Sequence, residues 1–277
     1  NNSDLILAGS GLSINVSGQL TNSGLLYGLT SNTLNAASLI NEGGQVGTDT
    51  GTLGIVTSIL DNSHNGRIIS RAGGISLQAS QIDNQNGYVE AGQGLTTLTA
   101  SLNNNGGEVI SENADVVVSA SPAGQASSAV DNTTGILQAG GSVTVHALTM
   151  QNTKGTVLAR NGDVLLSADT NNDALQSLED TNGTLQAGRD LSLTANALTG
   201  QASLSAGRNL TFTTPGDFST PTTFVSGQDT TLRIGGAYTI ATGSGIDASG
   251  NATVQAASVS NAGAMMAGGT LTVSTPG

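Results

Sequence analysis

Along most of this chain apolar residues take every second position in short runs: "GISLQA" (Gly74 to Ala79), "SVTVHA" (Ser142 to Ala147), "DLSLTA" (Asp190 to Ala195) and "NLTFTT" (Asn209 to Thr214). An alternation of period two is the mark of a strand with one face buried. After each run comes one more apolar position, then Asn, then Gly, as in "IDNQNG" (Ile82 to Gly87), "LNNNGG" (Leu102 to Gly107) and "MQNTKG" (Met150 to Gly155). A second short strand, such as "YVEAG", "ILQAG" or "TLQAG", then leads back to an x-Gly anchor. Asn and Gly supply the left-handed backbone angles that tight corners need.

The anchor recurs at Gly9, Gly28, Gly47, Gly73, Gly92, Gly140, Gly188, Gly207, Gly227, Gly250 and Gly268, and in phase but without glycine near Glu112 and Arg160. The mean interval is about 22 residues, the period range of stacked repeats. Two or three short strands per unit cannot bury their own apolar face, but stacking one unit on the next can. The pattern therefore predicts an all-β fold, a right-handed parallel β-helix of about 13 coils with roughly 20 residues per coil. At the usual strand spacing it would be a rod of roughly 60 Å. Leu193 and Leu204 are expected to point inward. A β-sandwich also uses short strands, but it does not require a constant phrase at constant phase. Residues 1–277 read as a single repeat segment that starts and stops in mid-pattern, as part of a longer chain would. A change of repeat type is expected near 207, where "GDFSTPTTFVSG" and "ATGSGIDASG" depart from the Asn-x-x-Gly corner.

Composition narrows the functional classes. Charged residues are 9% and aromatics 2%, with no Trp, so the core must be built from Leu, Val, Ile and Ala. The net charge is −12 with seven basic residues, which argues against a nucleic-acid partner and against docking on an anionic membrane. No apolar run approaches the length of a membrane span, so no membrane insertion is expected. There is no cysteine, hence no disulfide framework and no thiolate metal site. That absence suits a chain that crosses an envelope unfolded.

Three features could carry chemistry. The first is a polar row before the first strand of a coil, Asp115, Asp163, Asp190, Asn209 and Asp229. It could line a carboxylate site of the kind a polysaccharide lyase or hydrolase needs. The plainer reading is that each residue caps a turn through its own backbone N–H. No basic cluster or aromatic sugar platform accompanies it, so the chain is not read as an enzyme, and no cofactor or metal is expected. The second is Arg189 and Arg208, in the same phase on adjacent coils with Arg160 nearby, read as exposed and neutralised by Asp163, Asp190 or Asp180. The third is a pair of insertions, "SASPAGQASSA" (Ser119 to Ala129) and "ADTNNDALQS" (Ala168 to Ser177). Both follow an alternating strand, "ADVVVSA" and "GDVLLSA", so they should leave the rod at one corner, two coils apart. Insertions in solenoids map to loops, often on a binding face. Ser121, Pro122, Gln125, Asp169, Asn171, Asn172 and Asp173 are the candidate partner-binding residues, and a smaller insertion at Thr48 to Thr52 is grouped with them. His64 and His146 lack a metal-ligand partner and are read as surface residues.

The phrases "NTKGTVLARNGDVLLSA", "DTNGTLQAGRDLSLTANAL" and "NAGAMMAGGTLTV" resemble the haemagglutinin repeats of filamentous-haemagglutinin-type exoproteins. These are the secreted partners of two-partner secretion systems and include the contact-dependent inhibition (CdiA-type) effectors. The resemblance covers nearly the whole chain and is strongest from Gly66 to Gly207. It implies a β-helical shaft, export through an outer-membrane two-partner-secretion transporter, a secreted or bacterial cell-surface location, and a role in adhesion or toxin delivery. The implied further partner is a receptor protein or glycan on a target bacterial or host cell. The secretion domain and toxin module of that family are not seen in these residues. The readings that follow are a shaft segment that extends from the cell or, as the alternative, a dedicated receptor-binding domain that uses the inserted loops.

Overall fold

A computed structural model of the chain describes residues 1–219 and 221–276. Among them there is no helix, and every strand pairing is parallel. The chain is a β-solenoid of about 13 turns. One face is a 13-stranded sheet that starts with Leu5–Ala8 and ends with Ala264–Ala267, each strand paired with its counterpart one coil away. The second face carries the alternating runs, such as Leu53–Val56, Val116–Ser119 and Leu191–Thr194. The third face is built of shorter strands such as Ile59–Asp61 and Ser177–Glu179. In several coils one nine-residue strand bends across the corner and serves both faces, as Leu95–Asn103 and Val143–Gln151 do.

The period-two pattern is satisfied position by position. Leu26, Val46, Ile68, Val89, Val109, Leu137, Val157, Leu185 and Leu204 stack along the first face, each fully or almost fully buried. Leu193 is buried on the second face in register with Leu166 and Phe212. Where a strand of the first face runs into its corner the inward residue is small, as Ala91, Ser111, Ala139, Ala159 and Ala187 show, because the wall turns there. Beyond residue 207 the few aromatics enter the core. The rings of Phe212, Phe218 and Phe224 lie 4.8–6.0 Å apart between centroids, and Tyr238 stacks on Phe218 at 5.7 Å.

The Asn of the corner phrase does more than turn the chain. Asn2, Asn22, Asn41, Asn62, Asn84, Asn104, Asn132 and Asn152 are buried one above another. Each donates from its side-chain amide to the side-chain oxygen of the next, through eight successive bonds of 2.6–2.8 Å that end on Asp180. The same amide nitrogens reach strand carbonyls of the following coil, for example Glu108 O at 3.1 Å from Asn84 and Thr156 O at 3.1 Å from Asn132. From Asn22 to Asn152 the oxygen and the nitrogen of every amide in this interior file thus have a partner, which is what a buried amide requires.

The rest of the phrase has a separate cause. The residue before the glycine takes the left-handed conformation: Asn86 (φ 53°), Thr134 (55°), Lys154 (56°) and Asn182 (56°). The glycine itself is needed because the chain passes over the preceding rung. A Cβ at Gly107 would fall 2.1 Å from the Asn84 carbonyl oxygen, and one at Gly135 the same distance from that of Asn104.

The ladder gives a direct test. Asn104→Leu removes one rung and leaves the amide of Asn84 and the oxygen of Asn132 facing a hydrocarbon. An orphaned buried polar group costs about 1–3 kcal/mol, so the thermal unfolding midpoint should drop clearly. An unchanged midpoint would mean that the ladder does not hold the corner.

Candidate interaction site: two equivalent loops over His146

The two insertions stretch their coils to 28 residues, against 19–22 for the other rungs. They leave the second face at the same point, after Ser119 and after Ser167, and the strand Val143–Gln151 lies between those two coils. They also share one conformation. Ser119 Oγ donates to Ser121 O and Ser167 Oγ to Asp169 O, each at 2.8 Å. Ala120 N–H closes the first loop on Gln125 O at 2.8 Å, and Ala168 N–H closes the second on Asp173 O at 2.7 Å. Gly124 N–H bonds to Ser121 O and Asn172 N–H to Asp169 O. Gly124 (φ 71°) and Asn172 (φ 61°) are the left-handed residues, each four positions after the loop's first alanine. The phrases "SASPAGQA" and "SADTNNDA" thus encode one loop twice, with Gly or Asn where the backbone demands it.

The loops meet across the intervening coil. A Cβ at Gly124 would lie 2.4 Å from Thr170 Cγ2 and 3.2 Å from His146 Cδ2, so the backbone of the first loop rests against both. Beneath them His146 projects from the outward side of its strand. The sequence reading that made it a surface residue is corrected: it is 4% exposed. Its side chain is covered by loops from the coils on either side, which strand parity within its own coil cannot reveal. Its Nδ1 is 3.1 Å from Ser167 Oγ. The single hydroxyl proton of Ser167 goes to Asp169 O, so the ring N–H at Nδ1 donates to Ser167, and in the neutral ring Nε2 carries no proton. Burial lowers the His146 pKa, and the Asp169 carboxylate opposes part of that shift.

The candidate residues fall as follows. Pro122, Gln125, Asn171, Asn172 and Asp173 are exposed on the paired loops, while Ser121 and Asp169 are half-buried at their bases. Asp169 organises the second loop. Its Oδ1 accepts from Asn171 N (2.9 Å) and Asp173 N (3.2 Å), and its Oδ2 from Asn171 Nδ2 (3.0 Å). These bonds, led by that from Asp173 N–H, hold its carboxyl below the ordinary range. In the first loop Ser121 takes the equivalent place, and its Oγ is enclosed with no hydrogen-bond partner. The segment Thr48 to Thr52 does not join this site, because it follows the first-face strand Gln45–Thr48 and lies at another corner.

The other candidate features are turn and surface chemistry. Asp115 Oδ1 accepts from Ser142 N, Asp163 Oδ1 from Asp190 N, Asp190 Oδ1 from Asn209 N and Asp229 Oδ1 from Asn251 N, at 2.7–3.1 Å. The row does cap backbone N–H groups, but those of the next coil rather than its own. Arg189 pairs with Asp163 (3.5 Å) and Arg208 with Asp190 (3.8 Å), while Arg160 reaches Glu112 (3.4 Å) and not Asp180, which is buried. His64 is exposed. A further file escaped the sequence reading: Asp61, Asp83, Asn103, Asp131, Gln151 and Glu179 stand in register at the end of the third face. Asp61, Asp83 and Asp131 each accept the N–H two residues on, so this file too serves its turns. Among the described residues no group of three or more His, Cys, Asp or Glu side chains could hold a metal ion.

Comparison with protein-family models, with curated proteins and with solved structures finds no match.

The depressed pKa of His146 sets a pH dependence. The folded loops favour the neutral ring, so their closure is at full strength above about pH 6.5 and is lost as pH falls through and below that value. Hydrogen exchange at Gly124 and Asn172, corrected for intrinsic rates, should show less protection at pH 5 than at pH 7.5. In His146→Gln the protection should no longer depend on pH. Equal pH dependence in both proteins would mean that His146 does not control the loops.

Proposed function

We propose that this chain is a β-helical shaft segment of a large secreted surface exoprotein of the adhesin or effector-delivery kind, and that the paired loops over His146 contact a receptor on another cell. The observation that carries the second part is the duplication. Two loops of one conformation, two coils apart, pack together into a single raised patch on an otherwise uniform rod. A coil needs no such loop to fold, since coils of 19–22 residues make the same corner bonds. The exposed tips offer amides, a carboxylate and a proline, which suits a hydrogen-bonding partner such as a receptor protein or a glycan.

The shaft part rests on the uniform coil and on the repeat phrases shared with haemagglutinin-type exoproteins. Repeats that contact only their neighbours can fold one after another. With no disulfide to form, such a chain suits passage unfolded through an outer-membrane transporter and folding on the far side. The reading includes no catalysis, because the carboxylates in register along the rod are engaged in capping turns.

Loop removal tests the reading. Deleting Ser121–Ala126 and Asp169–Ala174 leaves coils of 22 residues, the spacing from Asn62 to Asn84, and spares the buried Ser127 and Leu175. Fluorescently labelled intact protein should bind saturably to one of two cell panels, Gram-negative bacteria or animal epithelial cells. The deletion variant should keep its β-sheet circular dichroism and lose that binding. Undiminished binding by the variant would remove the loops from the contact. No binding by the intact protein would leave the segment as a spacer.

A further inference from the structure

The asparagine ladder ends on a residue that does not complete it. Asp180 is fully buried, and its Oδ1 accepts the Asn152 amide at 2.7 Å. Its Oδ2 is enclosed and has no hydrogen-bond partner. In every earlier rung the second polar atom is an amide nitrogen, which donates to the next rung and to carbonyls beyond it. An ionised carboxylate in that place offers only acceptors.

The next coil cannot repair the mismatch. Glu179 pairs with Thr199, which puts Gly200 where the following rung would stand. Gly200 has φ 89°, and a Cβ there would lie 2.3 Å from Thr181 Oγ1 and 2.6 Å from Thr181 N, so no side chain fits opposite Asp180. The third-face strand of that coil is reduced to Leu198–Thr199. The charged groups of the corner are Glu179 and Lys154. Glu179 is half-buried and accepts from the Thr153 and Thr181 hydroxyls, and Lys154 is exposed. The neighbouring strands Thr156–Ala159, Thr184–Ala187 and Ser203–Ala206 carry no charge, nor does the segment 196–202.

We propose that Asp180 is a proton-dependent joint in the rod: with a proton on Oδ2 it is neutral and can donate to a backbone carbonyl as the amide nitrogens of the earlier rungs do, and without it an enclosed, unpartnered charge loosens the coil containing Leu198–Thr199 from the coil above. The joint divides the regular Asn-cornered coils from those whose core holds the phenylalanines. It owes nothing to the receptor reading, since it depends on the interior of the rod alone.

Burial pushes the Asp180 carboxyl up to about 7, against the pull of the Asn152 hydrogen bond. The folded chain then keeps a proton that the unfolded chain releases near pH 4. Stability from this group is therefore greatest at low pH, falls as pH rises from about 4 to about 7, and is level above that.

Asp180→Asn tests this, because it supplies the missing donor at every pH. Hydrogen exchange of residues 195–203 would be followed from pH 4 to 9 in both proteins. The opening constant of the wild type, divided by that of the variant, should rise about tenfold per pH unit between roughly 4 and 7 and then stay constant. A ratio that does not change with pH would overturn the proposal. Should the variant fail to fold, carbon-13 NMR of aspartate side chains in the wild type decides. One carboxyl titrating near neutrality supports the joint, and all carboxyls titrating in the ordinary acidic range overturn it.

Discussion

The constraint on which the rest of the structure depends is that the corner of each coil must bury a polar turn. A solenoid coil has to turn three corners within about 20 residues, and one of these corners carries its amide into the core. An isolated buried amide would be costly. A file of identical amides, each the partner of the next, removes the cost only if every copy stands at the same height and phase. The ladder therefore fixes register along the rod from Asn2 to Asp180. It accounts for Asn rather than Asp or Ser at the corner, because an ionised carboxylate only accepts and a hydroxyl has one proton, whereas the amide accepts and also donates twice, to the next rung and to a strand carbonyl.

This register accounts for the loops. The bond from Asn104 to Asn132 crosses an insertion and that from Asn132 to Asn152 does not, yet both are 2.7 Å. Extra residues that leave from the end of a second-face strand do not disturb the corner, so a solenoid can carry a raised patch without disturbing its core. Loop closure grows only slowly in cost with length. What makes the two insertions one site is the coil between them, whose His146 fills the space that both loops cover.

The surface chemistry is economical. Among the described residues the acidic side chains form no group that could hold a metal ion. Many aspartates stand along the corners, where one oxygen of each capping carboxylate takes a backbone N–H of its own or the next coil. The paired arginines balance some of them at the surface, where such pairs contribute little. The net charge of −12 is thus spread along the rod.

Much of this was legible in the chain itself. Alternation at Leu191, Leu193, Leu210 and Phe212, together with a constant phrase at constant phase, determined the parallel solenoid, its coil length and its inward residues, because a period of two and a period of about 20 have no other common solution that buries the apolar face. The positions of the two insertions were legible for the same reason. What only the tertiary structure decided lies between coils. His146 reads as outward and solvated within its own strand, and it is buried because neighbouring coils, 20 or more residues away in sequence, fold over it. Asp180 reads as a surface counter-charge for an arginine, and it is a buried, unfinished rung because the corner carries it into the core and Gly200 of the next coil offers no side chain to meet it. Contacts along the axis of a rod join residues that the sequence keeps a full coil apart, so a pattern read within one coil specifies the coil, and stacking decides what each side chain meets.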